Sequence, residues 1–142
     1  MVTVAERRFD DATALCDTKQ NARANGAAYL AGFVIEILLK AKLVNKYSQT
    51  ARKRQHDVND AERDIWSLIW RSHDLGSMLD AMPELEAALK KRAERAGIDY
   101  FGRLKGICAT WTIQARYSPF TMGISQAKEL LMTVRDLKEL LK

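Results

Sequence analysis

The sequence predicts an all-α fold, an up-and-down antiparallel bundle of four to five main helices with short helices between them. Three observations predict it. Seven Gly and two Pro in 142 residues are too few to punctuate the many short strands of a sandwich or barrel. A hydrophobic fraction of 47% and a charged fraction of 29% belong to a packed chain, which excludes disorder and collagen-like repeats. Apolar residues recur at helical spacing over most of the length, with no internal repeat or low-complexity segment. Residues 1–142 therefore read as one domain.

The first helix is expected from Val4 to Gln20. Val4, Phe9, Ala12, Leu15 and Cys16 share one face, and Glu6, Arg7, Asp10, Asp11 and Asp17 the other. Asn21 to Gly26, with two Asn and a Gly, reads either as the break that stops this helix and caps the next or as a kink. A connection that short lays the second helix antiparallel to the first. The second helix, Ala27 to Lys46, is apolar on nearly every face through its first half, where Tyr29, Leu30, Phe33, Val34, Ile37 and Leu38 follow one another closely. Such a helix belongs at the centre of a bundle, and Gly26, Ala27, Ala31 and Gly32 would let neighbours approach it.

From Tyr47 to Asp57 the apolar period lapses and a polar, basic loop is expected. A short amphipathic helix follows from Asp60 to Arg71, with Ile65, Trp66, Ile69 and Trp70 on one stripe. Ser72-His73-Asp74 interrupts it and caps a further turn carrying Leu75, Met78 and Leu79. Pro83 suits the first turn of a helix running through Glu84 to Ala96, and Gly97 supplies the stop. Asp99 to Tyr117 predicts another long helix, in which Gly102 and Gly106 mark a close helix crossing. Ser118-Pro119 ends it, because a residue before proline avoids the helical region. The last helix starts near Ser125 and places Ala127, Leu130, Leu131, Val134, Leu137 and Leu141 at helical spacing.

Several function classes fall away. Cys16 and Cys108 make no disulfide framework and fit as buried apolar groups, which favours a reduced, cytoplasmic setting. Met1 to Asp17 is charged throughout and lacks the apolar stretch of a signal peptide. The most apolar run, Gly26 to Leu39, is interrupted by Glu36 and too short to span a bilayer, so no membrane insertion is expected. His56 and His73 lie far apart in sequence and outside any metal-ligand spacing. Neither cysteine sits in a nucleophile motif, and no glycine-rich phosphate loop follows a strand. No metal or cofactor is expected.

The net charge is +5, from 23 basic and 18 acidic residues. Lys40, Lys42, Lys46, Arg52, Lys53 and Arg54 lie between Lys40 and His56 with no acidic residue among them. This stretch reads either as a solvated helix end and loop or as a surface for phosphates. On the second reading Arg52, Lys53 and Arg54 would give weak RNA or nucleotide binding. Without interleaved aromatics to stack on bases, that binding would not read sequence.

A combination of motifs spreads over most of the chain. Gly26-Ala27-Ala28-Tyr29-Leu30-Ala31-Gly32-Phe33-Val34-Ile35-Glu36-Ile37-Leu38-Leu39-Lys40-Ala41 comes first, then Ser72-His73-Asp74-Leu75, then Ala115-Arg116-Tyr117-Ser118-Pro119 before the last helix. Together these resemble the HEPN family (higher eukaryotes and prokaryotes nucleotide-binding domain) over roughly Phe9 to Leu141. The resemblance implies a helical bundle that dimerises, and a nucleotidyltransferase-like partner in a toxin–antitoxin or other defence system. It also implies, for a subset of members, metal-independent ribonuclease activity from an Arg and a following His with four to six residues between them. Here Arg52 precedes His56 with three residues between, Arg71 precedes His73 with one, and no His follows Arg116. The expectation is therefore a non-catalytic interaction module, with an RNA-cleaving protein of non-standard site as the alternative.

The residues of these motifs are the candidate site. Glu36 and Lys40 are one helical turn apart in the favourable order for an ion pair. Yet Glu36 lies between Ile35 and Ile37 on the most buried helix, where a carboxylate needs a partner to offset desolvation. Arg116 is a second candidate for that partner, through a bidentate guanidinium. His73 is either a general acid or base whose tautomer Asp74 fixes, or part of a helix cap. Arg116 would stabilise developing charge in the catalytic alternative, and Tyr117 is expected as a core aromatic with its hydroxyl at the rim. Trp66, Trp70, Trp111 and Phe120 exceed what one small core would cover. A C2 homodimer is therefore expected, with an interface on the Asp99 to Tyr117 helix or the Trp66–Trp70 stripe.

Overall fold

The computed structural model describes residues 1–111 and 122–142. Arg116, Tyr117, Phe120, the Ser118-Pro119 stop and the end of the expected Asp99–Tyr117 helix lie outside the described residues. The fold is the expected all-α bundle, with no strand among the described residues. Its order is α1 (Val2–Asp17), α2 (Asn21–Lys46), α3 (Ser48–Ala51), a 3-10 turn (Gln55–Asp57), α4 (Asp60–Trp70), α5 (Leu75–Asp80), α6 (Pro83–Ala96), α7 (Tyr100–Thr110) and α8 (Ile124–Leu141).

Helix α2 is the axle. Val34, Ile35, Leu38, Leu39 and Leu43 are fully buried along it, because α1 and α8 cover one side and α3 to α5 the other. The α1–α2 break falls earlier than the sequence predicts, at residues 18–20, where Lys19 takes a positive φ of 56° and Gln20 caps α2. Asn21 and Asn25 are helical, and their side chains are used elsewhere. Asn21 Oδ1 accepts the Ile124 amide at 3.2 Å, and Asn25 Oδ1 accepts the Met122 amide at 3.0 Å. Donors at the start of α8 with no intrahelical acceptor are thereby satisfied, and the N-termini of α2 and α8 are pinned side by side. Helix α8 consequently runs parallel to α2 and antiparallel to α1, and Lys142 at its far end pairs with Glu6 at 2.8 Å.

Two further local expectations change. Val4 is 46% exposed; the buried stripe of α1 is Ala5, Ala12 and Cys16, with Phe9 beneath the Lys138 ammonium. The expected Tyr47–Asp57 loop contains α3 and the 3-10 turn, clasped by the two tryptophans of α4. The Trp66 indole N–H donates to the Lys53 carbonyl at 3.0 Å, and that of Trp70 to the Ala51 carbonyl at 3.2 Å. Backbone acceptors in a polar segment are thus paired where the segment has no apolar period of its own.

The glycines of α7 do not make a crossing. Among the described residues a Cβ on Gly106 would meet nothing within 4 Å, and one on Gly102 would meet the Asp99 carboxylate that caps the same helix. The close approach is at Gly32 of α2, where the Trp111 indole lies so near that a Cβ would overlap it. Trp111 is 7% exposed and its N–H donates to the Tyr29 carbonyl at 3.2 Å. Gly32→Ala is expected to lose about 1–3 kcal/mol by overpacking, while Gly106→Ala is neutral or gains up to about 1 kcal/mol of helix propensity. Urea denaturation of the two variants beside the parent checks both signs.

Candidate functional site

At mid-length on α2 the apolar sequence delivers one carboxylate to the interior. Glu36 is 1% exposed, flanked by the buried Ile35 and Ile37. Its Oε1 is met from two directions. Lys40, one turn along α2, brings Nζ to 2.8 Å, and His73 in the turn between α4 and α5 brings Nδ1 to 2.8 Å. An ionised carboxylate only accepts, so His73 Nδ1 carries the proton of this bond. The Lys40 and His73 side chains are 14% and 30% exposed, so water screens these contacts less than it would an ion pair on the outer surface.

The helix spacing explains Lys40 and the chain break explains His73. Helix α4 ends at Trp70 and α5 starts at Leu75, leaving residues 71–74 to cross the α2 surface. Asp74 is the N-cap of α5. Its Oδ1 accepts the Ser77 amide at 3.1 Å, and its Oδ2 accepts the Ser77 hydroxyl at 2.7 Å. The Ser77 hydroxyl, then its amide, hold the Asp74 carboxyl below its ordinary range. Of the two expected readings, capping is the one these bonds make: the carboxylate holding His73 is Glu36, and the bonds of Asp74 run to Ser77. Serine 72 joins the same turn, its Oγ accepting the Asp74 amide at 3.0 Å.

The structure therefore brings Glu36, Lys40 and His73 together and turns Asp74 to capping. Arg116 and Tyr117 lie outside the described residues. Lys40, Lys46 and Lys53 of the basic stretch are paired. Lys53 holds Glu62 at 2.6 Å across to α4, and Lys46 holds Glu84 at 2.8 Å while also donating to the Ala81 carbonyl at 2.9 Å. Arg52 and Arg54 are exposed. Sequence analysis passes over the α4 capping box, although the Asn59 and Glu62 spacing is a readable signal for it. The Lys46–Glu84 tie spans 38 residues and has no local signal at all.

Other reactive groups are muted. Burial, reinforced by the Asp74 charge, pushes the Cys108 thiol up to about 12, and burial also raises Cys16. Neither supplies a thiolate near neutral pH. Among the described residues no three His, Cys, Asp or Glu side chains gather as a metal-ligand set. No helix among them is long and apolar enough to cross a membrane.

Two outcomes follow. Lys40→Ala and His73→Ala should each lose about 1–3 kcal/mol in urea denaturation, because either leaves the buried carboxylate with one donor fewer. Glu36→Leu should lose less than either, since it removes the charge that needs them. For the Asp74 cap, a carboxyl depressed by folding stabilises fully above its unfolded pKa, and that contribution fades as pH falls through the folded value. Asp74→Ala should therefore cost about 1 kcal/mol at pH 7, with melting curves of variant and parent converging in acid.

Comparison with known proteins returns no matching family model, no matching curated protein and no matching solved structure.

Proposed function

We propose that the chain is a non-catalytic interaction module of the HEPN kind, acting as a homodimer with a nucleotidyltransferase-like or other toxin–antitoxin or defence partner. The observation that carries this reading is the use of the polar motif residues inside the fold. Glu36, Lys40 and His73 are spent tying α2 to the α4–α5 turn, and Asp74 is spent on a helix cap. Side chains engaged in this way support a framework that presents surfaces. The absence of an Arg-to-His spacing of the ribonuclease kind in the sequence supports it as well.

One observation favours the alternative of metal-independent RNA cleavage. A carboxylate on His73 Nδ1 is the orienting contact that a general acid or base uses. The two readings separate in one set of assays. Light scattering at micromolar concentration should give about twice 16.1 kDa, and a nucleotidyltransferase-like protein encoded beside the chain should co-purify with it. RNA incubated with the purified protein and a chelator should stay intact. A monomeric mass overturns the dimer, and chelator-resistant cleavage lost in a folded His73→Gln variant installs the alternative.

A further inference from the structure

Helix α6 stands apart from the rest of the bundle on one side. It is held by α7 and α5, with little contact to α2 and α8. Between it and the α2–α8 pair lies a hollow of about 430 Å³. Its floor is aliphatic: Ala88 of α6 and Leu140 of α8 keep part of their surface open above the buried Leu85 and Leu89 of α6. Its rim is cationic: Lys42 rises from α2, and Lys91, Arg92 and Arg95 from α6.

Among the described residues the charges of this rim are not answered. Glu84 and Glu86 of α6 are engaged by Lys46 and Lys90. Glu139, the acidic residue at the rim, is held by Lys142 at 2.9 Å and Lys138 at 3.5 Å. Among the described residues no carboxylate forms an ion pair with Lys42, Lys91, Arg92 or Arg95. Basic residues near the C-terminus of α6 favour its dipole, which accounts in part for Arg92 and Arg95. It does not account for Lys42, which sits on another helix and faces the same hollow. Four cations around an apolar floor create a field that an anionic occupant relieves.

The floor decides the class of occupant. No aromatic side chain among the described residues lines the hollow, so a nucleic acid would find no stacking surface and would leave Ala88 and Leu140 uncovered. We propose that this hollow docks a short acidic segment of a partner protein, in which carboxylates flank one or two large aliphatic side chains. The aliphatic groups cover Ala88 and Leu140, and the carboxylates reach Lys42 and the guanidinium forks of Arg92 and Arg95. The proposal rests on the reading of the chain as an interaction module, and gives that module a surface and a partner chemistry.

The test uses the full chain as bait for a displayed random-peptide library, followed by fluorescence anisotropy with the best labelled peptide. Enriched peptides should carry Asp or Glu beside Leu, Ile or Met. The double reversal Arg92→Glu with Arg95→Glu, both exposed, should weaken binding at least about tenfold. Arg52→Glu with Arg54→Glu should change it by less than about twofold, since those charges lie elsewhere. The proposal falls if no peptide binds, if the enriched peptides are not acidic, or if both reversals weaken binding alike. It falls equally if mixed-sequence single-stranded RNA displaces the peptide and loses its own binding on the Arg92 and Arg95 reversal, which assigns the surface to nucleic acid. A dimeric chain that co-purifies with its partner but fails the peptide arm loses the surface and keeps the module. A monomer without a partner that passes it keeps the surface and loses the module.

Discussion

A carboxylate placed in the middle of the most apolar helix of a chain must be answered by donors, because an isolated buried charge costs more than a small domain can tolerate. Glu36 is that carboxylate, and its answer comes partly from its own helix and partly from elsewhere. Lys40 is local and follows from helix spacing. His73 lies 37 residues away and arrives only because the chain breaks between α4 and α5. The Glu36–His73 bond thus constrains where α4 ends, and with it where α5 and its Asp74 cap begin. Apolar burial supplies most of the driving force for collapse, and this contact helps to select one arrangement from those the apolar pattern would accept.

The same logic repeats along α2. At its N-terminal end Asn21 receives the first amide of α8, and Asn25 the Met122 amide just before it. In its first half Gly32 leaves room for Trp111, whose indole also caps a carbonyl of the axle. At its C-terminal end Lys46 and Tyr47 both donate to the Ala81 carbonyl, fixing the start of α6. Each tie joins a polar atom of the axle to backbone or side chain far away in sequence. The outer helices are therefore placed by polar contacts as well as by shape, and α6, anchored mainly at its start and along α7, is left with an open inner side.

Which parts were legible follows from the range of the interaction. Helix positions and the identity of the core helix came from periodicity, which is local, and so did the Asp74 cap, the Pro83 start and the Gly97 stop. The burial of Glu36 was legible from its neighbours Ile35 and Ile37. The identity of its distant partner was not, because nothing in the spacing of Glu36 and His73 encodes their meeting. The α1–α2 break was misplaced for a related reason: Asn21 and Asn25 are turn formers by type, and their use as acceptors for a helix a hundred residues on leaves no local trace. Gly102 and Gly106 misled because glycine spacing resembles a helix contact wherever it falls, and the partner surface decides whether one exists. The pairing of Lys53 and Lys46 was not legible because their acidic partners, Glu62 and Glu84, belong to later helices.

The central claim is that Glu36 and His73 are energetically coupled and that this coupling fastens the α4–α5 turn to the core helix. A double-mutant cycle with Glu36→Leu and His73→Leu, followed by urea denaturation at neutral pH, measures that coupling directly. The account predicts that the two changes are non-additive by at least about 1 kcal/mol, with the double variant more stable than the sum of the single losses implies. Additivity within about 0.3–0.5 kcal/mol would contradict it, and would reduce the contact to proximity without consequence for the fold.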